Sequence, residues 1–325
     1  MENNSKIKKS KFVHYTVMKT EVVDSLDCYN SDKIYVDCTL GGGGHSEEIL
    51  KRISPNGRLV SFDVDDDAIE HASNRLKGYK NLTIVKGSYA DIDIHLANLG
   101  IEKITGGIIF DLGASFHQLT CAERGFSFMN DAPLDMRFNQ EQDWNAWDVV
   151  NNYKENELVE IFSKYGEERF SKRIAHAIIL NRPINSTLEL ADLIKKSTPN
   201  IKSKIHPATR VFQALRIEVN QELLNFENTL KKVINLTEVG AIISLLSFHS
   251  LEDRIAKHFL KSYSSSCRCD RNVPSCTCGG KILELVNKKP IEATDEEVKV
   301  NPPSRSAKLR IAKKIKWDKI ETFIW

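Results

Sequence analysis

No apolar stretch in this chain is long enough to cross a membrane: runs such as Ala241 to Leu246 stop far short of the roughly 18 residues a span requires. The Lys-rich opening lacks the apolar core of a secretory signal, so a cytoplasmic location without membrane partners is expected. A disulfide framework is missing as well. Of seven cysteines, Cys28, Cys38 and Cys121 are scattered and the other four crowd between Cys267 and Cys278, a distribution that fits reduced thiols. The chain also lacks an excess of one charge, since 46 Lys and Arg face 44 Asp and Glu. It has no internal repeat. A hydrophobic fraction of 41% with 28% charged residues excludes a largely disordered, collagenous or coiled-coil chain, and 325 residues suggest two domains.

The net charge of +2 conceals an asymmetry. Residues 1–20 carry +4 and residues 299–319 carry +7, which leaves −9 for everything else. Basic ends on an acidic body suit an anionic partner such as a nucleic acid, and they suit solubilising tails equally.

Hydrophobic patterning divides the chain. Ile34 to Thr39, Arg58 to Asp63, Leu82 to Val85 and Gly107 to Asp111 read as strands, with helical stretches at Ser46 to Arg52 and Ala68 to Leu76 between them. That alternation predicts an α/β doubly wound parallel sheet. From Cys121 to Asn220 strand-like runs vanish and helical periodicity takes over: a helix around Glu157 to Tyr165, then Phe170 to Ile179, Thr187 to Ile194 and Ala208 to Leu224. The α/β pattern resumes with a strand at Ala241 to Ser247 and a helix at Leu251 to Leu260. Lys281 to Val286 and Ala307 to Ile311 are expected to pair antiparallel at the sheet edge. The expected division is therefore an α/β domain in two parts, 1–120 and 221–325, interrupted by an all-helical domain over 121–220.

The first chemical signal is Asp37-Cys38-Thr39-Leu40-Gly41-Gly42-Gly43-Gly44-His45, a glycine turn between a strand and a helix. Glycines there let backbone approach a ligand, and the helix N-terminus offers free N–H groups. Asp63 ends the next strand, where a carboxylate can accept from a ribose diol. Ser46 stands where the G-x-G-x-x-G spacing begun at Gly41 would put its third glycine, so the NAD fingerprint fits poorly and an S-adenosylmethionine loop fits better. A merely flexible turn, with Asp63 as a solvated cap, is the alternative. Asp37, Asp63 and Asp111 would share the carboxyl edge of the sheet, where open α/β folds bind ligands.

Asp37 to Ser46 (DCTLGGGGHS), Asp111 to Gln118 (DLGASFHQ), Glu123 to Met129 (ERGFSFM), Pro133 to Arg137 (PLDMR), Tyr165 to Phe170 (YGEERF), His206 to Arg216 (HPATRVFQALR) and Ser247 to Arg254 (SFHSLEDR) together resemble the ribosomal RNA small-subunit methyltransferase H family. The resemblance runs in order from about His14 to the C-terminal strand. It implies a class I (Rossmann-like) methyltransferase fold with a helical insertion. It further implies S-adenosylmethionine as cofactor and methylation of the exocyclic N4 of a cytidine in the decoding region of bacterial small-subunit rRNA. The partner would be that rRNA within the small ribosomal subunit or a late assembly intermediate; a homodimer is a further expectation. Carried over by position, the cofactor contacts fall on Gly43, Gly44, His45, Asp63, Tyr89, Asp111 and Gln118, with the glycines at the methionine end, Asp63 on the ribose and Tyr89 near the adenine. This chain departs from the family at Ser115-Phe116-His117-Gln118, where Ser-Ser-Pro-Gln is usual, and at Ala132-Pro133, where Gly-Pro is usual; the lost proline is expected to loosen the loop beside the methyl group.

Asp111 is the candidate catalytic residue, as acceptor of an N4 hydrogen bond, and cofactor positioning alone is its other reading. Ser247 to Ser250 could meet the base, or cap a helix through Ser250 and Asp253. Arg124, Arg137, Arg169, Lys172, Arg173, Arg210 and Arg216 are candidate phosphate contacts. Two competing functions stay open on the residues alone: an NAD-dependent oxidoreductase using the same glycine loop, and a catalytically idle RNA-binding assembly factor. Cys267-Arg268-Cys269 and Cys276-Thr277-Cys278 could supply four thiolates, but zinc pairs usually space C-x₂₋₄-C, so the expectation is a reduced loop with no metal.

Overall fold

A computed structural model describes residues 16–199, 206–267, 269 and 278–317, with the side chains of Phe116 and His117 outside the description. Cys276, residues 1–15 of the N-terminal basic end and residues 318–319 of the C-terminal one also lie outside it. Eight strands, β1 (Ile34–Asp37), β2 (Arg58–Asp63), β3 (Leu82–Lys86), β4 (Gly107–Asp111), β5 (Ile242–Ser247), β6 (Leu283–Leu285), β7 (Ile291–Glu292) and β8 (Lys308–Lys314), form one sheet. Its order is β3-β2-β1-β4-β5-β8-β6, with β7 also on β8. The first five strands are parallel; β8 runs antiparallel to β5 and to β6. The expected antiparallel pair is therefore present, with β8 wedged between β5 and β6.

These strands read as near-continuous apolar runs because both faces are covered. Val36, Val60, Phe62, Ile108, Phe110, Ile243 and Leu245 point into one buried cluster, while their neighbours Tyr35, Leu59, Ile109 and Leu246 point into another. Helices α1 (Lys19–Asp24), α2 (Gly44–Arg52) and α3 (Asp66–Leu76) cover the second face through Val22, Val23, Ile49, Leu50, Ala72 and Leu76. The first face is covered by α4 (Ile92–Asn98), joined by two helices from late in the chain, α11 (Glu222–Leu236) and α12 (Ser250–Ser264). The class I methyltransferase layering expected from sequence is thus the fold of the protein.

Between β4 and β5 no strand occurs among the described residues. Here stand α5 (Phe116–Thr120), α6 (Ala146–Asn152), α7 (Glu155–Lys164), α8 (Ser171–Leu180), α9 (Thr187–Ser197) and α10 (Ala208–Asn220); α13 (Asp295–Val300) follows later, before β8. A third apolar cluster, with buried members from Phe126 to Val219, holds α6 to α10 together. One expectation needs correcting. The helix read over Ala208 to Leu224 is two helices, because Gln221 takes a left-handed φ of 49°. The break is held from both sides: Asn220 donates to the carbonyls of Met136 and Arg216 (2.7 and 2.9 Å), and Arg216 grips Glu222 with two nitrogens (2.8 and 3.0 Å).

Candidate active site

Strand register assembles the site. Asp37 pairs with Ser61 on one side and Ile109 on the other, so Asp63 and Asp111 each stand two residues beyond it, about 6–7 Å further along the sheet axis. The glycine turn lies between them. Asp37 itself is fully buried and belongs to the turn's foundations: one oxygen accepts from Thr39 N (3.0 Å), the other from Ser46 Oγ (2.7 Å). Gly43 has φ 74°, a conformation costly for any residue with a Cβ. Gly44 opens α2 against the Thr16 side chain, where a Cβ would collide.

Asp63 fastens the turn from the next strand. Its Oδ2 accepts from Gly41 N (2.8 Å), and its Oδ1 accepts from Val64 N (2.8 Å) and Asp65 N (3.0 Å). Burial pushes this carboxyl up to about 6 against the pull of those three donors. A carboxylate has about four acceptor positions, so one remains on Oδ2 for a donor from the cleft.

His45 and Asp111 form a pair across the turn. His45 Nε2 faces the carbonyl of Val17 at 3.1 Å and Nδ1 faces Asp111 Oδ2 at 3.4 Å, with the ring 3% and the carboxylate 19% exposed. Both ring nitrogens meet acceptors, which only the imidazolium can satisfy. The His45 pKa is accordingly raised, since Asp111, Asp37 and the Val17 carbonyl outweigh the burial that would lower it. Asp111 N donates to Thr39 Oγ1 (2.7 Å), tying the tip of β4 to the turn.

Tyr89 sits edge-on to Phe110, centroids 5.6 Å apart, and burial pushes its phenol up. Gln118 is anchored at both ends of its amide, Nε2 to Asp65 Oδ2 (2.6 Å) and Oε1 from Ser115 N (2.8 Å). The loop expected to be loose without a proline is therefore held at Ser115 and Gln118. All seven carried-over residues except Gly43 line one cleft of about 790 Å³, which continues past Phe126 and Phe128 to Phe212, Arg216 and Phe248.

The family model of the MraW methylases matches residues 11–315. The chain belongs to the MraW methylase family. A protein of Clostridium botulinum (strain Loch Maree / Type A3) named ribosomal RNA small subunit methyltransferase H is 47% identical over 309 residues, covering 94% of this chain and 99% of that one. Its namesake in Paenibacillus sp. (strain JDR-2) is 46% identical over 316 residues, covering 94% and 100%. Among solved structures, an rRNA methylase from Streptococcus thermophilus (11% identity, TM-score 0.40, 94% and 100% covered) and a SAM-dependent O-methyltransferase from Thermotoga maritima (8%, 0.42, 97% and 70%) are more distant. As a member of the MraW methylases the chain is an S-adenosylmethionine-dependent methyltransferase, and the cleft fits that cofactor chemically. It offers acidic side chains for a cationic molecule, one open acceptor position on Asp63 for a ribose hydroxyl, an aromatic ring beside it, and the first-turn N–H groups of α2 for a carboxylate.

Sequence reading missed the clamp that joins this methylase cleft to the helical layer. Arg124, 6% exposed, reaches Asp65 with both terminal nitrogens (2.9 and 3.2 Å), then Asp67 (3.3 Å) and the carbonyls of Arg137 and Phe138 (3.0 and 3.1 Å). The only signal was Asp65 in N-cap position before α3. Arg124 is therefore withdrawn as a phosphate contact, and so are Arg137, bound to Asp135, and Arg216, bound to Glu222. Arg210 donates to the Glu167 carbonyl, while Arg169, Lys172 and Arg173 are exposed and form no ion pair with another described residue. The cap of α12 also shifts by one: His249 and Glu252 form the capping box, and Ser250 donates to Glu167 instead. Burial alone would raise Glu252; His249 and Arg216 hold it low.

Proposed function

We propose that the protein methylates rRNA, at the exocyclic N4 of a cytidine in the decoding region of the bacterial small subunit, acting in the cytoplasm on the subunit or a late assembly intermediate. The observation that carries this reading is the single cleft running from Asp63, Tyr89 and Asp111 at the sheet edge to Phe128, Phe212 and Phe248 at the helical layer. One end suits a nucleoside cofactor; the other offers aromatic faces on which an unstacked base could lie.

When bound, S-adenosylmethionine supplies a methyl group already activated on sulfur. The protein's part is to hold its partners. Gly43, Gly44 and the His45 backbone would take the methionine end, Asp63 the ribose, and Tyr89 the adenine side. Gln118, with one amide hydrogen and one acceptor position left, would edge the same pocket. Cytosine N4 is a poor nucleophile because its lone pair is delocalised into the ring. Asp111 helps by accepting one N4 hydrogen, which lets nitrogen pyramidalise toward the methyl carbon and gives the departing proton a first acceptor. His45 positions that carboxylate through Oδ2, leaving Oδ1 for the base.

The test is nucleoside mass spectrometry of small subunits lacking the modification after incubation with protein and cofactor. N4-methylcytidine is expected, and its absence with properly assembled substrate overturns the reading. Asp111→Asn should lower turnover at saturating cofactor and RNA about 10²-fold or more; full turnover would reduce Asp111 to a positioning role.

A further inference from the structure

We propose that Cys267, Cys269 and Cys278 form a zinc site, remote from the methyl-transfer cleft and structural in purpose. Their three sulfurs lie within 4.8 Å of one another, and those of Cys267 and Cys278 are 4.0 Å apart. Zinc–thiolate bonds of about 2.3 Å on a tetrahedron place sulfurs about 3.8 Å apart, close to that spacing. No disulfide joins these cysteines. The short C-x-C spacing that argued against a metal matters less once a third thiol from eleven residues away completes the triangle.

Energetics points the same way. Bringing Cys278 back to Cys267 closes a loop whose sequence, RCDRNVPSCT, has almost nothing apolar to bury. So polar a sequence offers little hydrophobic burial to set against the chain entropy that closure costs. A metal–thiolate cluster supplies the missing enthalpy. The turn is shaped for it, since Gly279 and Gly280 follow Cys278 with φ 69° and 78° and Lys316 Nζ donates to the Gly279 carbonyl at 2.7 Å. Three soft thiolates select zinc over magnesium or calcium. They bind as thiolates, each releasing its proton on metal uptake, and leave one position of the tetrahedron for a further donor.

Position fixes the role. Helix α12 begins at the cleft with the His249 cap and runs 15 residues, about 22 Å, before the cysteines. At that distance the metal takes no part in methyl transfer; it pins the far end of α12 to the β6–β8 edge.

The experiment is metal analysis of the untagged full-length chain, purified under reducing conditions without added zinc, together with cobalt substitution. About one zinc per chain is expected, with a thiolate-to-cobalt charge-transfer band in the near ultraviolet and d–d bands of tetrahedral intensity. Cys267→Ser, Cys269→Ser and Cys278→Ser should each lose most of the metal while still binding S-adenosylhomocysteine, which shows the methyltransferase core is folded; Cys121→Ser should keep it. Less than a tenth of an equivalent in the parent chain overturns the proposal. So does zinc retained in full by the cluster variants, or a Cys267–Cys278 disulfide in protein kept reduced throughout. Failure of the rRNA assay would leave each of these readouts unchanged, because none depends on substrate.

Discussion

Asp63 shows how one side chain couples turn geometry to cofactor affinity. Its carboxyl binds a proton more tightly folded than unfolded, so the empty protein loses stability as the pH rises from about 4 to the folded value of about 6. A ribose hydroxyl donating to Oδ2 favours the ionised form, so cofactor binding should strengthen through the same window. The affinity for S-adenosylhomocysteine, measured by calorimetry, is expected to fall by up to about tenfold per pH unit below 6 and to be flat above 7. Asp63→Asn should bind weakly with no such bend; a bend that persists in the variant would assign the titration elsewhere. The carboxylates at the ends of β1, β2 and β4 were legible in sequence because each closes an apolar run. Their division of labour was not. Asp37 and Asp63 look alike in a string of letters, yet burial and a Ser46 hydroxyl turn the first inward while the second keeps an acceptor position facing the cleft.

Among elements, strands were easier to read than helices, for a physical reason. A strand buried on both faces reads as a near-continuous apolar run, whereas α4 buries only Ile92 and Leu96 and leaves almost no periodic signal. The break at Gln221 was hidden for another reason, since the left-handed residue is not glycine and the contacts that hold it, from Met136 and Glu222, come partly from distant chain. The Arg124–Asp65 clamp is of the same kind. It is a buried ion pair between the N-terminus of α3 and the loop after α5, and Gln118 shares its carboxylate. Arg124→Ala removes one partner and strands a buried charge, which costs about 3–5 kcal/mol. Urea unfolding should show that loss, and cofactor affinity should drop with it because the 113–118 loop loses its anchor. Arg137→Ala, whose ion pair with Asp135 is nearer the surface, should cost less. Equal losses would mean the clamp carries no special share.

At the scale of the whole molecule, net charge says little and its distribution says more. We propose that residues 121–220 form a domain inserted between 1–120 and 221–325. The buried members of its apolar cluster all lie between Phe126 and Val219, and Arg124 and Asn220 fasten it near its two ends. Its arginines separate by burial into those that bind the protein to itself and those that face outward. Arg124, Arg137 and Arg216 are each paired with a carboxylate of the protein. Arg169, Lys172 and Arg173 have not, and they follow Glu167, whose bonds to Ser250 and Arg254 bring this corner to the start of α12 beside the cleft. If that corner tracks an rRNA backbone, each of the three contacts adds about 0.7 to the slope of log affinity against log salt. Replacing all three with Ala should therefore flatten that slope by about 2 and weaken binding most at low salt, with cofactor affinity and thermal stability unchanged because none of them packs inside. The measurement is a salt titration of binding to small-subunit rRNA by parent and triple variant. An unaltered slope would remove this face from the interface.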